Sequence, residues 1–134
     1  MDSARSKSFD IKWRLGEQNG VVTVEPGIYL PGELDHYVAG MIREETESLF
    51  VCKKIRDVIF DYTNTHFMDS SGIGLVMGRY RQVRYLKGDV YIVGVNEKVA
   101  RILDISGLYR VAKKRENIDA ALQDIKEKKE KQNK

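Results

Sequence analysis

The sequence predicts an α/β fold: one mixed β-sheet that opens on an antiparallel hairpin and continues in parallel strands, with about four helices packed on it. Three observations carry this. Phe9, Ile11, Trp13 and Leu15 alternate with polar residues, the period of a half-buried strand. Val58-Ile59-Phe60 and Val90-Tyr91-Ile92-Val93 are short continuous apolar runs, as expected of strands covered on both faces. Helical periodicity fills the stretches around them, and strands alternating with helices form a parallel sheet with right-handed crossovers.

The elements follow in order. After the first strand, residues 16–20 read as a turn around Asn19-Gly20, and Val21-Val22-Thr23-Val24 as the return strand. Pro26-Gly27 predicts a bulge or edge before the strand resumes at Ile28. Residues 31–35 read as a loop in which Asp35 caps a helix reaching about residue 51. Val38, Met41, Ile42 and Leu49 face inward on it, Arg43, Glu44, Glu45 and Glu47 face outward, and Lys53-Lys54 suits its end. The strand at 58–60 leads through a second loop to a helix over residues 69–86, where Ile73, Val76, Met77, Tyr80 and Val83 make one face and Leu75 points outward. A Gly88-Asp89 turn precedes the strand at 90–93. Residues 97–106 form a helix with Val99, Ile102, Leu103 and Ile105 apolar and Gly107 just past its end. Tyr109-Arg110-Val111-Ala112 reads as a short last strand, and residues 117–128 as a final helix burying Ile118, Leu122 and Ile125.

With 134 residues, 42% hydrophobic and 32% charged, the chain fits one domain with a real core. The expected division is a disordered segment at 1–8, the domain at 9–126 and a charged tail at 127–134. No apolar run approaches the roughly 20 residues of a membrane span, and the first eight residues lack the apolar core of a secretory signal. The single Cys52 forbids an internal disulfide and fits a cytoplasmic location. The net charge is +3, with much of the excess in a tail that interleaves acids and has no aromatic residue. That is no nucleic-acid surface.

Asp69-Ser70-Ser71-Gly72 stands where a strand hands over to a helix. Its side-chain oxygens suit a cap, and a helix N-terminus with free N–H groups is also where the chain best holds or senses a phosphate. Gly72, Gly74 and Gly78 lie in the first turns although Gly weakens a helix, which implies that a neighbouring strand or another protein comes close. Other chemistry is poorly supported. His36 and His66 have no metal-ligand spacing with Cys52 or an acid, so neither metal nor cofactor is expected. Ser70 or Ser71 with His66 imitates a nucleophile and base, but no Gly-x-Ser-x-Gly elbow or orienting acid accompanies them. A phosphate-cradling loop with its lysine and a dinucleotide fingerprint are both missing. Asp61 imitates the acceptor of a receiver domain without the acid pair expected earlier in the chain.

Four stretches carry a more specific likeness: Gly32-Glu33-Leu34-Asp35-His36, Phe67-Met68-Asp69-Ser70-Ser71-Gly72-Ile73-Gly74, Gly78-Arg79-Tyr80 and Ile105-Ser106-Gly107-Leu108. In this order, across residues 9–122, they resemble the STAS domain, and within it the anti-sigma-F factor antagonists of sporulating bacteria. The long first hairpin and the charged tail depart from the pattern. The resemblance implies a cytoplasmic protein that is not an enzyme. Such a protein binds an ATP- or ADP-bound anti-sigma factor that is also a serine kinase, and so releases a sigma factor. Phosphorylation of Ser70 switches it off and a serine phosphatase resets it. The expected partner surface is Glu33, Asp35, Asp69, Ser71, Gly72 and Leu75, because both loops should lie at one end of the sheet and Leu75 on the outward face of its helix. A helical wheel favours Ser71 over Ser70 as the more outward hydroxyl, whereas the resemblance selects Ser70. Two other readings remain: the same fold in a general-stress or sensory-complex pathway, and a small serine-nucleophile enzyme.

Overall fold

A computed structural model describes residues 10–18, 21–52 and 55–132, with side chains described over 27–51 and 55–131. In chain order the elements are β1 (Asp10–Gln18), β2 (Val21–Tyr29), β3 (Glu33–Leu34), α1 (His36–Cys52), β4 (Val58–Asp61), β5 (Phe67–Met68), α2 (Ser70–Tyr85), β6 (Val90–Val93), α3 (Glu97–Ile105), a 3-10 turn (Leu108–Arg110), β7 (Ala112–Arg115) and α4 (Ile118–Gln132). The main sheet has the order β1-β2-β4-β6-β7. It is antiparallel between β1 and β2 and parallel from β2 onward, the mixed sheet that the alternation of patterns predicts.

The central parallel strands β4 and β6 are buried on both faces, which is why they read as unbroken apolar runs. Val58 and Phe60 of β4 and Val90 and Ile92 of β6 face a core completed by Ala39, Ile42 and Phe50 of α1, Leu75, Val76 and Val83 of α2, and Val99 and Leu103 of α3. Ile59, Tyr91 and Val93 face the other way, against Ala121 and Ile125 of α4. Three helices therefore cover one face and one helix covers the other.

Several sequence expectations are corrected. β1 runs to Gln18, so residues 16–18 belong to the strand and not to a turn. The Asn19-Gly20 reversal, Lys53-Lys54 and residues 1–8 lie outside the described residues. Pro26-Gly27 makes no bulge: the register with β1 is unbroken, Trp13 opposite Pro26 and Lys12 opposite Gly27. Pairing with β4 starts only at Gly27, so the missing N–H of Pro26 costs no bond on that side. The stretch 31–35 is not wholly a loop, because Glu33 and Leu34 form β3, parallel to β5. Leu75 does not point outward; it is 2% exposed, and the buried stripe of α2 is Gly72, Leu75, Val76, Arg79 and Val83. Of the apolar residues of α3, Ile105 is 81% exposed at its end. The apolar stretch at 109–112 is mostly the 3-10 turn, and β7 begins at Ala112. The segment read as a tail is helical as far as Gln132.

Candidate functional site

The site grows from two chain segments that leave the sheet at the same end. β2 ends at Tyr29 and β4 at Asp61, one beside the other. Each strand is followed within a few residues by a two-residue strand and then a helix. The repeated strand–short strand–helix pattern brings β3 alongside β5, Glu33 opposite Phe67 and Leu34 opposite Met68. The loops are laced together: the His66 N–H donates to the Gly32 carbonyl (2.9 Å), the Thr65 hydroxyl to the Pro31 carbonyl (2.7 Å) and the Asp69 N–H to the Leu34 carbonyl (3.3 Å). Asn96, the cap of α3, donates through its side chain to the Thr65 carbonyl (2.9 Å) and ties in a third loop.

This lacing sets the N-termini of α1 and α2 side by side. Asp35 caps α1, its Oδ1 accepting from the Val38 N–H (2.9 Å). Asp69 caps α2, its Oδ1 accepting from the Ser71 N–H (2.8 Å). The other oxygen of Asp69 accepts from the His36 N–H (3.1 Å), so one carboxylate answers first-turn donors of two helices. The His36 ring turns the same way, with Nδ1 3.0 Å from the Ser71 hydroxyl. Ser70, the first residue of α2, is exposed, and its hydroxyl bonds no described residue. The two adjacent serines thus differ: Ser71 is half-buried and engaged, Ser70 open. This reverses the helical wheel, which has no earlier turn with which to judge a first-turn residue.

The other expected site residues fall into two groups. Glu33 is exposed, Asp35 and Asp69 are half-buried as caps, and Gly72 is buried at the same end. A Cβ on Gly72 would sit 2.5 Å from Met68 Cγ and 3.0 Å from Leu34 Cδ2, so this glycine lets α2 lie against the β3–β5 ribbon. Gly74 and Gly78 have open space where a Cβ would be. Leu75 belongs to the core and not to this surface.

Sequence reasoning passed over several participants. His36 reads as an ordinary loop residue, and only its place directly after a cap hints at the convergence. Tyr37 (66% exposed) and Phe67 (44% exposed) leave two large apolar side chains in solvent beside the paired loops. Arg79 is 2% exposed inside the apolar stripe of α2. It donates to the Thr46 hydroxyl (2.7 Å) and the Arg43 carbonyl (3.2 Å), pairs with Glu47 (3.5 Å) and lies over the Phe50 ring. Burial lowers its pKa and Glu47 partly restores it, and the guanidinium fastens the middle of α2 to α1. Among the described residues no group of His, Cys, Asp or Glu could hold a metal ion.

Residues 17–124 match the STAS domain family. The chain belongs to that family. A 32% identical relative, over 76% of this chain and 84% of its own length, is the anti-sigma F factor antagonist of Paenibacillus polymyxa. The anti-sigma-B factor antagonist of Listeria monocytogenes is 28% identical over 60% of this chain and 70% of its own. Among solved structures, the unphosphorylated anti-sigma factor antagonist SpoIIAA superposes with a TM-score of 0.70 at 25% identity, covering 86% of this chain and 96% of that one. The phosphorylated form of the Bacillus cell fate determinant SpoIIAA gives 0.63 at 25% identity over 85% and 99%. In this STAS domain the Asp-Ser-Ser-Gly stretch opens α2, beside the N-terminus of α1.

Proposed function

We propose that this STAS protein is an anti-sigma factor antagonist, turned off by phosphorylation of Ser70 and not an enzyme itself. The observation that carries the reading is the exposed, unbonded hydroxyl of Ser70 at the first position of α2. A phosphate there brings roughly −1.5 to −2 charges beside the positive end of the helix dipole, where the fold tolerates an anion. A docked partner does not: it must desolvate the dianion or move away, and mismatched charges at interfaces cost about 2–5 kcal/mol. The partner surface in this reading is Glu33, Asp35, Asp69, Ser71 and Gly72 with Tyr37 and Phe67, exposed aromatics being good anchors. The partners are an anti-sigma factor with serine kinase activity and a serine phosphatase, both cytoplasmic. Sigma-F control is preferred because the Paenibacillus relative matches over more of both chains than the sigma-B antagonist quoted above. The sigma-B relatives make that pathway the second reading.

The serine-nucleophile alternative has one observation in its favour, the contact of Ser71 with His36 instead of the expected His66. Against it, among the described residues no carboxylate bonds the other ring nitrogen. The experiment that separates the readings is intact mass after incubation with the anti-sigma factor and ATP. A stable adduct of about 80 Da, absent in Ser70→Ala and only reduced in Ser71→Ala, is expected. Full incorporation into Ser70→Ala sinks the assignment.

A further inference from the structure

The two adjacent serines pose a question of choice, and the residue that answers it lies on the other helix. Ser71 Oγ is 3.0 Å from His36 Nδ1. The imidazole is well placed to hold it, because the His36 backbone N–H is fixed on Asp69 (3.1 Å) at the start of a helix capped by Asp35. Ser71 is fixed from its own side by its N–H on the same Asp69 carboxylate (2.8 Å). Ser70 Oγ bonds no described residue and faces solvent.

We infer that His36 is a positioning residue that decides which serine is modified, by engaging the Ser71 hydroxyl and leaving Ser70 as the acceptor. This rests on the proposed phosphorylation switch and adds to it the reason for its site. In phosphoryl transfer the serine oxygen forms a bond to the γ-phosphorus of a nucleoside triphosphate. The bridging P–O bond breaks, the nucleoside diphosphate leaves, and the hydroxyl proton passes to a base on the kinase. The attacking oxygen must be free to turn toward the phosphorus. Either tautomer of His36 works against that for Ser71. If Nδ1 is bare, it holds the hydroxyl proton; if it carries hydrogen, it occupies an oxygen lone pair. In both cases Ser71 Oγ is held against the first residue of α1, whereas Ser70 Oγ is held by no described residue and is free to turn. An imidazole beside a serine can also activate it, which predicts the opposite outcome.

The test uses the full-length wild type, His36→Ala, His36→Gln, Ser70→Ala and the Ser70→Ala/His36→Ala double variant. Each is expressed from its own locus, so that the native kinase is the probe, and phosphate is located by tandem mass spectrometry. Wild type is expected to carry phosphate on Ser70. His36→Ala should raise the Ser71-to-Ser70 occupancy ratio roughly two- to tenfold, the factor that one net hydrogen bond supplies. His36→Gln, whose amide oxygen can still accept, should pull the ratio back toward wild type. The double variant should carry more phosphate on Ser71 than Ser70→Ala alone. Amide spectra of each variant identify any that fail to fold; should His36→Ala be one, His36→Phe, which keeps a ring and has no hydrogen bond to give, replaces it and should raise the ratio in the same way, an unchanged ratio again overturning the role of His36. If wild type carries phosphate on Ser70 and the ratio is unchanged in His36→Ala, the role of His36 is overturned while the switch stands. Phosphate on wild-type Ser71 that is lost in His36→Ala reverses the proposal, because His36 then activates that serine. No phosphate on either serine of the wild type, in growth or starvation, removes the switch and this inference with it.

Discussion

Gly72 and Gly74 stand two residues apart on one helix and answer to different pressures. At Gly72 an added methyl collides with Met68 and Leu34, both buried. Overpacking of this kind costs about 1–3 kcal/mol, more than the roughly 0.5–1 kcal/mol that replacing a helical glycine with alanine gains. Gly72→Ala should therefore lower stability by about 1 kcal/mol in denaturant titration. Gly74 has nothing within 4 Å of the same methyl. Gly74→Ala should raise stability by about 0.5–1 kcal/mol. Whether partner affinity falls in the stabilised Gly74→Ala protein shows if the partner packs against the exposed start of α2. The sequence showed that these glycines are costly in a helix, but not which of them the fold needs. That depends on Met68 and Leu34 meeting across the β3–β5 ribbon, a contact invisible to helical periodicity.

At the scale of elements, caps and long apolar patterns were legible and the small connecting pieces were not. Asp35, Asp69 and Gly107 stand at the helix ends their residue types predict, with Gly107 in the left-handed conformation at φ 78°. The ribbon of β3 and β5 was missed because two residues are too few to show alternation. Leu75 falls outside the face that periodicity predicts because that face is centred on Ile73, Met77 and Tyr80, whereas the packed stripe is turned toward Gly72 and Leu75. An arginine in that stripe reads as exposed until Thr46 and the Arg43 carbonyl of the neighbouring helix are seen to receive it. The same convergence of elements separates capping from recognition at Asp35. Asn and Asp cap about equally well, so Asp35→Asn should change stability by less than about 0.5 kcal/mol. If the paired loops form the partner surface, the same change should weaken kinase binding, measured by calorimetry. Unchanged binding would leave Asp35 with its structural task alone.

Across the whole molecule, the switch and the fastening of the fold lie at opposite ends of the sheet. At the ends of the parallel strands away from Ser70, buried Asp57 and half-buried Asp89 meet Lys128 of α4, with Arg56 3.7 Å from Asp57 and Lys113 3.3 Å from Asp89. This ion network is what holds the end of α4 that the sequence presents as a fraying tail. The residue that receives Lys128 is 71 positions away, so no local pattern could announce it. Breaking a buried pair by removing one partner typically costs about 3–5 kcal/mol. Lys128→Ala should fall at the lower end, since Arg56 and Lys113 remain, and should lower the melting temperature by on the order of 10 °C. The network also fixes the direction of the acid response. Burial pushes the Asp89 carboxyl up, but the hydrogen bonds and charges of Lys128 and Lys113 together outweigh it and hold the group below its ordinary value. The folded state then binds fewer protons than the unfolded chain, so this part of the stability is present above about pH 4, the unfolded carboxylate range. It is lost as pH falls through the folded value. Asp89→Asn should lower stability at pH 7 and flatten the acid limb of the pH–stability curve measured by thermal unfolding. An acid limb as steep in Asp89→Asn as in wild type would assign it to other carboxylates. Phosphate on Ser70 should leave that limb in place, because the charge it adds lies at the far end of the strands.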